Sequence, residues 1–177
     1  PETHAVDAAL PLRELVAAAI LAPSSHHTQP WRVRLAHGRG DRNADRSRRM
    51  PVSDPEDREL TISCGAALFN LRVAAARHGL HAEVALLPDP AQPDLLARVR
   101  LSRDGPPGAE AALHDAIPRR HTVRQPFNAV PVPPAVLAAL AAAVAIEGAR
   151  LDVLGDEARR RAAALRGVEG DTAQWAD

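Results

Sequence analysis

The sequence predicts a fold of class α+β, in which one chain carries both helices and short strands. The segment from Ile62 to Ala76 is apolar on most sides, as expected of a helix buried in a core. Residues 31–35 alternate between apolar and arginine side chains, which is the period of a half-buried strand. Two further strands are expected at residues 80–87 and 97–101, on either side of a loop rich in Pro and Asp.

The other elements are predicted from apolar spacing and from the residues that begin and end helices. A helix is expected over residues 10–21, and Pro23 ends it. The central helix should begin at Asp54 and Pro55 and end at Gly79, because Asp caps a helix, Pro suits its first turn and Gly ends it. We also expect a turn at 37–41, exposed residues at 42–50, helices at 107–117, 133–146 and 156–166, a strand at 150–154 and a frayed end from residue 167.

Composition and charge exclude several classes of function. The chain has 177 residues, and its 22 basic side chains balance 22 acidic ones, which argues against a nucleic-acid binder that acts through net charge. Its two Trp and two Phe residues give no stacking platform for bases. No apolar run approaches the ~20 residues of a membrane span, so no membrane partner is expected. Every basic residue is Arg, so a bound anion would be held by guanidinium groups.

A cytoplasmic location is predicted from the cysteine content and from the first residues. The single cysteine, Cys64, excludes an internal disulfide framework and fits a reducing compartment. Residues 1–4 have no signal-peptide character, and they begin without Met, so the true start was removed or lies upstream. His26 and His27 are adjacent and have no Asp, Glu or Cys at metal-ligand spacing nearby, so no metal site is expected.

The first candidate site is the polar loop in the segment APSSHHTQPWRV, residues 22–33. Its groups that both donate and accept hydrogen bonds are those of Ser24, Ser25, Thr28 and Gln29. The residue before Pro30 favours an extended conformation, so the loop should present backbone N–H groups and short polar side chains to one small region. Such a region suits a polar heteroaromatic ligand. The alternative is a loop whose Ser and Thr side chains bond their own backbone. No G-x-S-x-G elbow surrounds the serines, so neither is expected to be a nucleophile.

The second candidate site is the segment RRHTVRQPF, residues 119–127. If this segment is extended, then Arg120, Thr122 and Arg124 share a face and form an anion clamp suited to a phosphate monoester. The alternative is a group of solvated surface arginines. Together the two segments suggest one ligand with a phosphate at one end and a heteroaromatic system at the other, and flavin mononucleotide (FMN) has this structure. No P-loop or Rossmann glycine motif is present.

These residues carry a resemblance to the FMN-dependent nitroreductase family. The first segment resembles the family signature A-P-S-x-x-N-x-Q-P-W, the second resembles its R-x-[ST]-x-[RK] phosphate motif, and residues 54–80 resemble its long central helix. Their order resembles the Acg-like subgroup, in which two nitroreductase halves are fused in one chain. The resemblance implies a nitroreductase-like α+β fold, with a central mixed or antiparallel sheet flanked by helices and a long buried central helix.

The resemblance also implies how the chain is divided. Residues 1–116 would form the first nitroreductase-like half, and residues 117–177 the start of a second, incomplete half. An internal echo agrees with this division, because the helix, loop and strand predicted over residues 12–35 recur over residues 133–154 without the polar loop. The chain would then be a fragment, or would complete its fold as a homodimer or with a complementing chain.

The cofactor-binding residues implied by the resemblance come from both segments. Arg120 and Thr122 would hold the FMN phosphate, and Arg124 would lie near the N1–O2 edge of the flavin. The loop contacts would come from Pro23, Ser24, Ser25, His27 and Gln29. His27 stands where the family has Asn, which departs from the pattern. No residue is implied as a catalytic acid or base.

The implied function is an oxidoreductase of nitroreductase type, which transfers a hydride from NAD(P)H through FMN to a small nitro- or quinone-like acceptor. The cofactor would carry the chemistry while the protein binds and orients it. Two alternatives remain open at this point: a flavin-binding or flavin-sequestering protein without turnover, and a truncated remnant without catalysis.

Overall fold

The computed structural model describes residues 11–36, 39–105 and 108–175. The chain divides into two compact units, the first ending at Thr122 and the second beginning at Val123. The first unit contains α1 (Leu12–Ile20), β1 (Trp31–Ala36), β2 (Arg39–Ala44), α2 (Arg58–Arg77), β3 (His81–Leu86), β4 (Leu95–Ser102) and 3₁₀ turns at Ser25–His27, Arg46–Arg48 and Ala109–Ala116. The second unit contains α3 (Pro134–Ile146) and α4 (Glu157–Trp175).

The four strands of the first unit form one antiparallel sheet in the order β1-β2-β4-β3. Trp31 pairs with Ala44 at one end of the β1–β2 ladder, and the β2–β4 ladder shifts register between Arg42 and Asn43. The predicted class α+β and the predicted strands at 31–35, 80–87 and 97–101 are confirmed, with β4 beginning two residues early. Within the described residues the sheet is antiparallel rather than mixed.

The core lies between the inner face of the sheet and the helices α1 and α2. Its largest fully buried apolar side chains are those of Leu15, Pro30, Cys64, Leu71, Val73, Leu80, Leu95 and Val99. Alanines at 67, 74 and 75 let α2 approach its neighbours closely, and Asn70 Nδ2 donates to the oxygen of Ala18 at 3.0 Å. The prediction of a buried central helix is therefore confirmed, except that Ile62 is 61 % exposed near the helix start.

The two ends of α2 are fixed in different ways. At its C-terminus, Gly79 has φ of +68°, Leu80 N–H donates to Ala75 O at 2.9 Å and Gly79 N–H donates to Ala76 O at 3.0 Å, a Schellman motif. At its N-terminus the helix begins at Arg58, later than predicted. Asp54 still caps it, because its carboxylate accepts from the N–H groups in the first turn.

The prediction of exposed residues over 42–50 is wrong at Arg42, Ala44 and Asp45, which are buried. Arg42 is 2 % exposed, because β2 continues through it and the strand alternation turns its side chain toward the core. Asp45 is 8 % exposed and its carboxylate accepts from Arg32 at 2.9 Å and from the Ser47 hydroxyl at 2.6 Å. Arg39–Asp41 lie in β2 rather than in the predicted turn, whose first residues fall outside the described residues.

The second unit departs further from the sequence predictions. The helix predicted at 133–146 is confirmed as α3, and Gly148 at φ of +73° closes it. No strand forms at 150–154, so the predicted echo of helix, loop and strand lacks its strand here. The last helix is longer than predicted, since α4 continues from Glu157 to Trp175.

Two further sequence predictions are partly outside the described residues. One helix is predicted from residue 10, and α1 is described from Leu12. Another helix is predicted from residue 107, and there the segment Ala109–Ala116 forms a 3₁₀ helix instead of an α-helix. Among the described helices, none combines the length and apolar character that crossing a membrane requires.

Candidate functional site

The polar loop between α1 and β1 is a tight, strained turn. Ser24 is extended at φ −144° and ψ 151°, and a 3₁₀ turn follows from Ser25 to His27. Positive φ angles occur at His26 (50°), His27 (57°) and Gln29 (46°), a backbone region that side chains with a Cβ adopt at a cost. Such a loop persists because surrounding contacts hold it, and strain of this kind is concentrated at functional sites.

The prediction that this loop is extended before Pro30 is wrong. Gln29 lies in the left-handed region, because its N–H donates to Ser24 Oγ at 3.0 Å and closes the turn. Thr28 Oγ1 donates to Ser25 O at 2.9 Å, and Gln29 Nε2 donates to Ile20 O at 3.2 Å. Several polar side chains therefore bond the backbone of the loop itself, which was the alternative interpretation of their residue types.

Backbone donors of the loop stay available for a ligand. The N–H groups of Ser24, Ser25 and His26 make no hydrogen bond to any described residue. Pro23 and His27 are exposed, and Ser24, Ser25 and Gln29 are half-buried. The loop thus presents free donors on a backbone whose shape is fixed by its own side chains.

Two residues that sequence reasoning missed hold the loop from outside. Arg48 Nη1 donates to Thr28 O at 3.0 Å and also lies 3.4 Å from Gln29 O. Ser25 Oγ donates to Glu59 Oε2 at 2.5 Å, which ties the loop to the first turn of α2. Neither contact has a local sequence signal, since Glu59 is 34 residues from its partner.

The end of the loop is anchored in the core at Pro30. Its carbonyl accepts from Cys64 Sγ at 3.3 Å and from Asp45 N at 2.9 Å. Burial raises the pKa of the Cys64 thiol to about 11, so the sulfur is a neutral donor at physiological pH and not a nucleophile. Trp31 follows at 9 % exposure.

The second segment meets the first through Arg120. After the 3₁₀ helix ends at Ala116, both Arg119 N and Arg120 N donate to Ala116 O, at 3.1 and 2.9 Å. The Arg120 guanidinium then reaches two oxygens: Nη1 lies 3.4 Å from Thr122 Oγ1, and Nη2 lies 3.5 Å from Leu21 O. Leu21 directly precedes the polar loop and is 99 residues away in the chain.

The neighbouring arginines are placed differently. Arg119 Nε donates to Asp115 O at 2.8 Å, so this side chain turns back along the 3₁₀ helix. Arg124 belongs to the second unit, where it is exposed and makes no ion pair with a described residue of that unit. The structure therefore brings Arg120 and Thr122 to the end of α1 beside the loop, and it describes Arg124 within its own unit.

A metal centre has no basis in the part of the chain that the structure describes, since no group of three or more His, Cys, Asp or Glu side chains there could hold an ion. The site instead combines one exposed guanidinium, one hydroxyl and a turn with free N–H groups. These are donors for an anion and for the oxygens and nitrogens of a neutral ring.

Comparison with known proteins finds relatives of this chain. No protein-family model matches the chain. It is 38 % identical over 149 residues to “Putative NAD(P)H nitroreductase Rv3131” of Mycobacterium tuberculosis, covering 84 % of this chain and 43 % of that protein. From the same organism, “Putative NAD(P)H nitroreductase acg” is 34 % identical over 154 residues, which cover 86 % of this chain and 46 % of that protein. The similarity supports the nitroreductase family.

A third relative in the same organism, “Uncharacterized protein Rv3127”, is 36 % identical over 155 residues, covering 85 % of this chain and 45 % of that protein. The chain thus spans less than half the length of the relatives it matches.

Proposed function

We propose that this chain belongs to the nitroreductase family and carries an FMN site of an NAD(P)H-dependent oxidoreductase. The observation that carries the proposal is the position of Arg120, whose guanidinium joins Thr122 to the carbonyl of Leu21 beside the polar loop. Two segments that are far apart in sequence thereby meet at one place, as a single bound mononucleotide requires.

The phosphate end of FMN fits the donors around Arg120. A guanidinium has five N–H donors, and the two contacts of Arg120 are both long, at 3.4 and 3.5 Å. The side chain is exposed, so its remaining donors are open to an anion. Arg120 would bind the phosphate in the bidentate manner that guanidinium favours, and the Thr122 hydroxyl would add one donor.

The ring end fits the loop through its backbone rather than through its hydroxyls. Because Ser24 Oγ accepts from the backbone N–H of Gln29, and Gln29 Nε2 donates to Ile20 O, the two side chains would act by shaping the turn. The free N–H groups of Ser24 and Ser25 would donate to the ring, and Pro23 would lie against it. His27 is exposed and would offer an imidazole N–H where relatives in the family have an amide.

The role of each residue follows from that arrangement. FMN, when bound, supplies the capacity to take up and release a hydride. The chain itself would bind the phosphate and orient the ring. The role of Arg124, a positive charge near the ring edge, rests on the resemblance to the family alone. No side chain is needed as a general acid or base. We extend the proposal to NAD(P)H and a small nitro- or quinone-like acceptor as partners, and to a cytoplasmic location. We also propose that residues 1–116 and 117–177 correspond to two nitroreductase-like halves, and that a second copy or a complementing chain completes the site.

The visible spectrum of the purified chain tests the proposal. Titration with FMN should give a saturable complex with the flavin absorption bands, and anaerobic NADPH should bleach them. A complex that NADPH leaves yellow would contradict the oxidoreductase and favour a flavin-binding protein without turnover. A chain that emerges colourless from gel filtration after incubation with millimolar FMN, and that leaves the spectrum of added FMN unchanged, would overturn the flavin site itself and favour the remnant without catalysis.

A further inference from the structure

The outward face of the sheet carries a second cluster of arginines, separate from the Arg120 segment. The helices cover the inner face, where β4 buries Leu95, Ala97, Val99 and Leu101. Strand alternation places the intervening residues on the other face. Those that line a concave site of about 740 Å³ there include Arg34, Arg39, Asp41, Glu83, Arg98 and Arg100.

These side chains form two rows across the strands. In the first row, Asp41 pairs with Arg34 on β1 and with Arg98 on β4, and Arg98 Nε donates to the Asp41 carboxylate at 2.9 Å. In the second row, Arg100 stands between Arg39 and Glu83, and its Nη2 lies 2.6 Å from the Glu83 carboxylate. Each row therefore has two guanidiniums and one carboxylate.

The surplus positive charge belongs to Arg34 and Arg39. Neither makes an ion pair with any described residue, whereas Arg98 and Arg100 are both neutralised. Arg39 stands directly opposite Arg100 in the ladder, and like charges in that position destabilise a sheet. A bound anion would remove this repulsion.

The spacing of the surplus charges indicates the kind of anion. Arg34 faces Asp41, and Arg39 lies two residues from Asp41 on the same face, so the backbones of the two arginines are diagonal neighbours roughly 7–8 Å apart. Each of the two guanidiniums can hold one phosphate in a bidentate manner, so together they suit an anion with two linked phosphates. The volume of the concave site is within the range of small-molecule sites.

We propose that the outward face of the sheet binds a diphosphate group, held between Arg34 and Arg39. Inorganic pyrophosphate and the diphosphate of a nucleotide share this chemistry. The site does not depend on the proposed FMN function, because it uses none of the residues assigned to that cofactor.

Isothermal titration calorimetry of the full chain with sodium pyrophosphate tests the proposal, with ADP and inorganic phosphate as parallel ligands. Pyrophosphate should bind, and more tightly than inorganic phosphate. The double variant R34Q/R39Q should weaken pyrophosphate binding about 100-fold, since each charge-assisted contact contributes roughly tenfold. A gain in affinity for ADP over pyrophosphate would identify a nucleotide as the source, and equal affinity would identify the diphosphate alone.

Two control variants, and the FMN binding of R34Q/R39Q, locate the bound pyrophosphate on the chain. The variant R13Q/R77Q removes the same charge from exposed positions on α1 and α2 and should bind pyrophosphate like the parent. R120Q should also keep pyrophosphate binding, and R34Q/R39Q should keep FMN binding. Absence of pyrophosphate binding, equal binding by R34Q/R39Q and the parent, or loss in R120Q alone would overturn the proposal. So would binding of an acidic polyglutamate peptide without binding of pyrophosphate, which would favour a protein partner.

Discussion

The guanidinium of Arg120 lies 3.5 Å from the carbonyl oxygen of Leu21, the residue that ends α1. The last turn of α1 contains no basic side chain of its own, so Arg120 supplies the positive charge that a helix C-terminus favours. This contact fixes the guanidinium beside the polar loop while its other donors face solvent. A residue 99 positions away thus completes the end of a helix and the candidate site at the same time.

Replacement of Arg120 should weaken FMN binding more than any other single change in its segment. We expect Arg120→Gln to raise the Kd for FMN by about 10- to 100-fold, because one charge-assisted contact to phosphate contributes roughly 1.5–3 kcal/mol. Fluorescence titration of FMN measures this. Arg119→Gln is the matched control, since Arg119 is exposed and turns back to Asp115 O. Equal Kd values for the two variants would remove Arg120 from the site.

Loss of the Glu59 carboxylate should loosen the polar loop without unfolding the chain. In Glu59→Ala the Ser25 hydroxyl loses its acceptor at 2.5 Å, and we expect faster amide hydrogen exchange over residues 24–29. The Kd for FMN should rise about 2- to 10-fold, as for one lost hydrogen bond. Glu56→Ala is the control, because Glu56 is exposed and close in sequence. Unchanged exchange in Glu59→Ala would show that the hydrogen bond does not hold the loop.

The cap at Asp54 should make stability depend on pH in acid. Asp54 is 4 % exposed, and its carboxylate accepts from Glu59 N at 3.1 Å and Leu60 N at 2.8 Å. Burial raises its pKa, but the N–H groups of the first turn of α2 more than offset this, so the pKa lies below its ordinary value of 3.8. With the lower pKa in the folded state, the stabilisation is complete above pH 3.8 and is lost as the pH falls through the folded pKa.

Urea unfolding of Asp54→Asn measures the effect. The variant should be about 1 kcal/mol less stable than the parent at pH 7, because both carboxylate oxygens of Asp54 accept an N–H group and an amide has only one acceptor oxygen. That difference in unfolding free energy should shrink progressively below pH 3.8. Glu56→Gln should show no such trend with pH. A difference for Asp54→Asn that stays constant from pH 7 to pH 3 would contradict a charged cap.

Replacement of the buried Arg42 should stabilise the chain. Its three guanidinium nitrogens have no hydrogen-bond partner among the described residues, and burial lowers its pKa to about 10. Arg42→Met keeps much of the side-chain volume and removes a buried charge, so we expect a gain of about 1–4 kcal/mol in unfolding free energy. Arg77→Met, at an exposed helix position, should change the unfolding free energy by less than about 0.5 kcal/mol. A loss of stability in Arg42→Met would show that the guanidinium is satisfied.

Local signals predicted the elements well and failed where distant residues compete. The alternation of Trp31 and Val33 with arginines predicted β1, and Gly79 predicted the end of α2, because both effects act within a few residues. The same alternation continues through Arg42 in β2, and its burial, contrary to the predicted exposure, depends on the strands on either side of it. The extended loop before Pro30 was also wrong, since a hydrogen bond between Gln29 and Ser24 outweighs the local preference.

By itself, the sequence determined which segments could hold a ligand, because the residue types that donate to phosphates and rings stand in two short stretches. Tertiary structure alone decided that Arg120, and not Arg119, turns to Leu21, and that Glu59 and Arg48 hold the loop. It also decided that Arg34 and Arg39 lie on one face of the sheet, where the carboxylates of Asp41 and Glu83 pair with Arg98 and Arg100 instead. The physical reason is that donor chemistry is a property of each side chain, whereas the direction of a donor depends on atoms that the fold brings from elsewhere in the chain.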